Sequence, residues 1–292
     1  MRAKPILIGV AALLLIAGVI LLLVQSYLQR GAQQGVADFA QRLPPGLALE
    51  YGAVDLGLLG RYLHVNDVRL YVYEQAPVAI ERVELLEFDR SGRLPHYLHA
   101  RLIDVEQDLE PLGARQTELL SRLGYDRIRG DYELDYVYSA DDDRLDLRRL
   151  GVDLHGICTL SLSLRLGSVD LEQAVTMPQQ HLLEAELHGL RLSFGDGSMV
   201  SRILRAVAED QQLTEEQVVQ QLLERLDRAL APYQGPFFDQ LRQELESFLL
   251  APGQLTLTAQ PPRPVPLMDL IAYTMVRAGD VPELLNLSVQ AH

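Results

Sequence analysis

The sequence predicts an α+β fold: an N-terminal transmembrane helix, then a long-stranded, curved antiparallel β-sheet packed with C-terminal amphipathic helices. Three observations predict it. Ile6 to Val24 is an unbroken apolar run, stretches between Leu47 and Leu192 alternate apolar and polar side chains, and stretches beyond Ser198 carry apolar residues at helical spacing.

The first run reads ILIGVAALLLIAGVILLLV, with Ile6, Leu14 and Val24 at its start, middle and end. As a helix, about 19 residues reach about 28 Å, close to a hydrocarbon core of about 30 Å. Arg2 and Lys4 precede the run, whereas Gln25 to Ala40 holds one Arg and one Asp, which places the N-terminus on the cytoplasmic side. A cleaved signal peptide is the competing reading. Its apolar region is usually about 7–15 residues and ends at a small-x-small site, whereas this run is longer and VQSYLQ overlaps its end. The organisation expected is a cytoplasmic tip and anchor over residues 1–25, a stalk over 26–46 and an exported β-rich domain over 47–292. Pro44-Pro45-Gly46 ends the stalk, because proline excludes helical backbone in the residue before it.

From Leu47 to Asp108 the period is two, as in LHVNDVRLYVY, PVAIERVELLEF and LHARLIDV, with turn chemistry at Asp89-Arg90-Ser91-Gly92. Leu112 to Leu123 returns to helical spacing, with Gly124 as a stop. Tyr132, Leu134, Tyr136 and Tyr138 then alternate with Glu133, Asp135 and Val137, and Asp141-Asp142-Asp143 turns the chain into a hairpin. Leu160, Leu162, Leu164 and Leu166 alternate with Thr159, Ser161, Ser163 and Arg165, one dry face and one wet face.

An apolar-x-apolar-x-x-apolar-x-apolar pattern recurs at Leu63/Val65/Val68/Leu70, Val78/Ile80/Val83/Leu85, Leu145/Leu147/Leu150/Val152 and Ala185/Leu187/Leu190/Leu192. Strict alternation would put the two halves on opposite faces, so each strand must bulge or change its buried face. Long, bent strands follow. The leucines of 160–166 are then a candidate apolar ligand face for lipid or another extended hydrophobic partner; the other outcome is a twisted sheet covered by the chain's own helices.

Helices are expected at about 112–123, 198–209, 214–230, 236–250 and 267–277. Ser198 is read as the cap of the second, and Thr214 with Gln217 forms a capping box for the third. Val218, Val219, Leu222, Leu223, Leu226 and Leu230 form one stripe, and Phe238, Leu241, Leu245, Phe248 and Leu249 another.

A formal charge of -14 disfavours nucleic acid as a partner, because an acidic surface repels phosphates and no Lys/Arg cluster is evident along the chain. Cys158 is the only cysteine, so no intramolecular disulfide forms and paired-thiolate zinc sites are excluded. His96 and His99 are three apart and would point to opposite faces of a strand. Asp141-Asp142-Asp143 lacks the alternating ligands of a calcium loop, and Gly195-Asp196-Gly197-Ser198 matches neither a nucleophile elbow nor a phosphate loop. No cofactor, metal or catalytic residue is expected.

The anchor, GDYELDYVYS followed by RLDLRRLGVDLHGICTLSLSLRL, AELHGLRLSFGD and FLLAPGQLTLTAQPPRPVP together resemble the single-pass YdgA/AsmA-like envelope proteins of Gram-negative bacteria. That resemblance implies an inner-membrane protein with its bulk in the periplasm, linked to envelope maintenance and lipid handling. The expected function is non-enzymatic, with the membrane as one partner and lipid contacted through the apolar sheet face. The alternative is an interaction module that binds another envelope protein, and an envelope hydrolase is disfavoured because no residue constellation supports it.

Overall fold

Alternating β-branched and aromatic residues build the strands, and in the computed structural model they pair throughout in antiparallel fashion. The structure describes residues 47–56, 62–72, 77–89, 94–108, 114–171, 173 and 183–292. Ile6 to Val24, the stalk and most of the Asp89–Gly92 turn lie outside the described residues. Among the described residues no helix is long and apolar enough to cross a membrane. The chain divides into two compact units after Tyr136.

The first unit contains β1 (Leu47–Glu50), β2 (Val54–Leu56), β3 (Leu63–Val72), β4 (Val78–Phe88), β5 (Tyr97–Asp108), α1 (Ala114–Arg122) and most of β6 (Arg127–Ser139). Its strand order is β1-β3-β4-β5-β6, with β2 also on β3. The recurring apolar pattern is resolved here without any shift between β3 and β4. Val65 pairs with Val83 and Val68 with Ile80, so the two strands skip together. Ile80 pairs in turn with Val105 and Arg82 with Ile103, which sets Asp67, Glu81 and Asp104 level across three strands. Asp67 and Asp104 adopt left-handed backbone, with φ of 53° and 56°. On either side of that line Leu63, Val65, Val68, Leu70, Ile80, Val83, Leu85, Leu102 and Val105 are buried.

The second unit contains β7 (Arg144–Leu154), β8 (Cys158–Gly167), β9 (Glu186–Asp196), α2 (Met199–Gln211), α3 (Glu215–Leu230), α4 (Pro236–Leu250), β10 (Gln254–Ala259), β11 (Val265–Pro266), α5 (Leu267–Val276), a 3-10 turn (Ala278–Asp280), α6 (Val281–Leu284) and β12 (Leu287–Ala291). Its strand order is β7-β8-β9-β10-β12, with β11 also on β9.

In this unit the pattern is resolved by bulges. Leu147 pairs with Leu164 but Leu150 with Leu162, so Arg148 and Arg149 together oppose Ser163. Arg165 pairs with Gly189 but Leu166 with Leu187, which leaves His188 as an extra residue. Strictly alternating β8 therefore lies between two bulged strands, and every leucine of the pattern stays on its face.

The helices begin and end for local reasons. Three amides, those of Gly197, Ser198 and Met199, donate to the Ile157 carbonyl at 2.9, 3.0 and 3.2 Å and pin the start of α2 to the β7–β8 turn. Ser198 stands at the cap position, but its hydroxyl donates to the Gly156 carbonyl at 2.7 Å. Asp196 takes the capping role instead, accepting from the Val200 amide at 2.8 Å. The capping box of α3 forms as expected: Thr214 Oγ1 accepts from the Gln217 amide and Gln217 Oε1 from the Thr214 amide, at 3.3 and 2.9 Å. Helices α2 and α3 bury Leu204, Ala208, Val218 and Val219 in a cluster that Leu249 of α4 joins.

Strand β12 was not evident from the sequence. It pairs with β10, and α4 covers its other edge: Gln240 Nε2 donates to the Val289 carbonyl at 2.8 Å and Glu244 Oε2 accepts from the Ala291 amide at 2.7 Å. Backbone groups that would otherwise invite another strand are thus satisfied by side chains.

Candidate functional site: apolar surfaces and an arginine-lined trough

The predicted leucines of β8 stand in four rungs. Leu160 is level with Val152 and Phe194, Leu162 with Leu150 and Leu192, Leu164 with Leu147 and Leu190, and Leu166 with Leu145 and Leu187. Their surroundings differ along the strand. Leu166 is 4% exposed, in a core with Val169, Ala185, Leu187, Ala259, Val265 and Leu285. Leu164 and Leu190 pack against that core, as do Leu267 and Leu270 of α5 and Val281 and Leu284 of α6. At the other end Leu160 is 39% exposed, and its neighbour Phe194 meets Phe248 of α4 edge-on at 6.0 Å. The chain's own helices therefore fill one end of the candidate face and leave the other partly open. The predicted membrane-spanning residues Ile6, Leu14 and Val24 lie outside the described residues.

Helix α5 is more exposed than its composition suggests. It reads LMDLIAYTMV, and no residue in it is fully buried. Leu267 and Leu270 turn inward, while Met268, Ile271 and Met275 recur at the i, i+3, i+7 spacing of one helical face. Met275 is 81% and Val276 80% exposed, and Tyr273 is exposed beside them. Exposed apolar surface of this kind marks a contact site more often than scattered single residues do.

On the opposite side of β7–β10 the alternating residues are small or charged. Ser161 is level with Gly151 and Ser193, and Ser193 Oγ lies 3.1 Å from Thr256 Oγ1 on β10. One step along, Ser163 faces the Arg148–Arg149 bulge on one side and Arg191 on the other, and Arg191 is level with Thr258. One step further, Arg165 is level with Asp146 and Gly189. A trough of about 450 Å³ opens here, lined by Arg144, Asp146, Arg148, Arg165, Arg191 and Thr258 among others. Sequence reasoning read these positions as an ordinary wet face, because it lacked the register that gathers them.

The remaining candidates are separate from one another. His99 Nε2 pairs with Glu133 Oε1 at 3.0 Å, and His96 Nδ1 lies 3.9 Å from Asp89 Oδ2. Cys158 is half-buried; burial pushes its thiol pKa up, with Asp196 and Asp153 adding to the shift, which is the opposite of an activated nucleophile. Among the described residues, no group of three or more His, Cys, Asp or Glu side chains is arranged to hold a metal ion. The acidic triplet Asp141-Asp142-Asp143 forms the turn between β6 and β7.

Fold and surfaces together define an antiparallel α+β protein with long strands and several helices. Residues 151–292, all within the second unit, match a protein-family model whose description reads "Uncharacterized protein". No curated protein matches the chain.

Proposed function

We propose that this chain is an inner-membrane-anchored, periplasm-facing, non-enzymatic protein that contributes to cell-envelope maintenance by contacting lipid. The observation that carries the reading is the outward stripe of α5, which an aqueous surface alone gives no reason to keep. The apolar run Ile6 to Val24 supports it by holding the domain near a bilayer, since the roughly 22 residues from Gln25 to Gly46 span at most about 75 Å when extended. Asp269 and Arg277 are the nearest charges in the helix and at its end, so contact rests on burial of Met, Ile and Val rather than on attraction to anionic headgroups. The partly open Leu160 end of the sheet face is a second apolar surface for the same purpose.

The test uses the full chain with Cys158→Ser and Met275→Cys, labelled with a polarity-sensitive fluorophore and reconstituted in phosphatidylethanolamine/phosphatidylglycerol vesicles. Lipid contact shifts the emission to the blue and makes it quenchable by brominated acyl chains. Emission identical to that of a label at exposed Arg225, with no quenching, would sink the reading.

Met and Tyr on α5 are also enriched in protein–protein interfaces, which favours a second reading: binding another envelope protein. A photo-crosslinker at position 275 would then capture one protein, with no lipid adduct.

A further inference from the structure

We infer that the trough on the hydroxyl side of β7–β10 is a binding site for a small phosphate-bearing ligand. The protein carries 40 acidic residues against 26 basic ones, yet this trough reverses the balance locally: Arg144, Arg148, Arg165 and Arg191 converge with Asp146 as the one carboxylate in the lining. Like charges set on neighbouring strands repel. Some arginines elsewhere in the molecule are paired, as Arg129 is with Asp104 and Arg127 with Glu106. Among the described residues Arg148, Arg165 and Arg191 have no hydrogen-bond or ion-pair partner. Arg144 reaches Asp146 Oδ1 through Nη2 at 3.4 Å, and its Nε is buried with no partner. A bound anion would supply what the protein does not.

The backbone makes room for this arrangement. A Cβ at Gly189 would stand 2.9 Å from Arg165 Nη2 and 3.3 Å from its Nε, so the glycine lets that guanidinium lie flat on the sheet. The β7 bulge sets two arginines against one serine, bringing Arg148 to the trough opposite Arg191 across Ser163.

The donors select the ligand class. Guanidinium forks match oxyanions by paired N–H bonds, and the Ser163 and Thr258 hydroxyls add further donors. A phosphate ester offers three or more acceptor oxygens to several forks, where a carboxylate offers two. A volume of about 450 Å³ leaves space for the group the phosphate is attached to. The charge of -14 repels long polyanions, so the ligand is a small phosphate ester or a lipid headgroup.

The experiment titrates the full chain, in maltoside micelles and phosphate-free buffer, with glycerol 3-phosphate and separately with phosphatidic acid in mixed micelles. Saturable binding to glycerol 3-phosphate supports a free phosphorylated ligand, and binding to phosphatidic acid alone supports a headgroup. Affinity should fall at least about tenfold in Arg165→Gln/Arg191→Gln and stay unchanged in Arg225→Gln, outside the trough. Should the Gln pair fail to fold, Arg165→Lys/Arg191→Lys keeps the charge without the forks, and affinity should still fall about threefold or more. Binding of neither probe, undiminished affinity in both double variants, or an equal loss in Arg225→Gln would overturn the assignment.

Discussion

Asp67 on β3 and Asp104 on β5 are both in left-handed backbone and stand level with each other, with Glu81 of β4 between them. This line lets three strands change phase together and keep their apolar residues on one side. Aspartate tolerates the conformation better than most L residues, and a β-branched side chain does not. Asp67→Val should therefore lower stability by about 1–2 kcal/mol, whereas Asp67→Asn should stay within about 0.5 kcal/mol. Urea titration of both variants checks it; equal stability would mean the backbone there carries no strain.

Tyr136 donates its hydroxyl to the Pro95 carbonyl at 2.9 Å in the buried part of the first unit. Burial raises the phenol pKa above its ordinary value of 10.0, with the Asp89 charge adding to the shift. Folding thus favours the neutral form. Its contribution is full below about pH 10 and is lost as the pH rises toward the folded-state value. Tyr136→Phe should cost about 1 kcal/mol at neutral pH and flatten the alkaline loss. Urea midpoints at about pH 8 and about pH 10.5 give the comparison; a variant as alkali-sensitive as the parent would move the cause elsewhere.

Removing the side chains that seal β12 should loosen that strand. Gln240→Ala leaves the Val289 carbonyl, and Glu244→Ala the Ala291 amide, without the bond each has now. Each substitution should cost about 1 kcal/mol and, for Glu244→Ala, speed hydrogen exchange at the Ala291 amide about tenfold. Unchanged exchange would show that water serves as well as the glutamate.

The leucine ladder should respond unequally. Leu166→Ala should lower stability by about 2–5 kcal/mol because it opens a cavity in the core. Leu160→Ala, at the open end, should cost less than about 1 kcal/mol. Thermal melting of the two variants decides, and equal losses would mean that the open end is as tightly packed as the closed one.

Local signals carried most of the architecture. Strand alternation, the Thr214–Gln217 box and the apolar stripes of α2 to α4 each lie within a few residues, so the helices fall within about three residues of their expected ends. Non-local features were hidden. Strand β12 is five residues long and meaningful only when paired with β10, and the trough depends on the register of four strands and on the β7 bulge. Ser198 misled because Asp196, two residues earlier, competes for the same amides. The exposure of helix α5 was hidden too, because its apolar composition carries no polar face to mark the side that meets water.

Strand β8 has no spare residue. Its neighbours β7 and β9 each accommodate one, at Arg148–Arg149 and at His188, and both return to its rhythm afterwards. One residue added within β8 would turn every later side chain through half a rotation, sending Arg165 toward the leucine core and Leu166 toward water. Length variation is therefore absorbed on the flanks and forbidden in the middle, which makes β8 the segment where insertion and deletion should be least tolerated in any descendant of this chain.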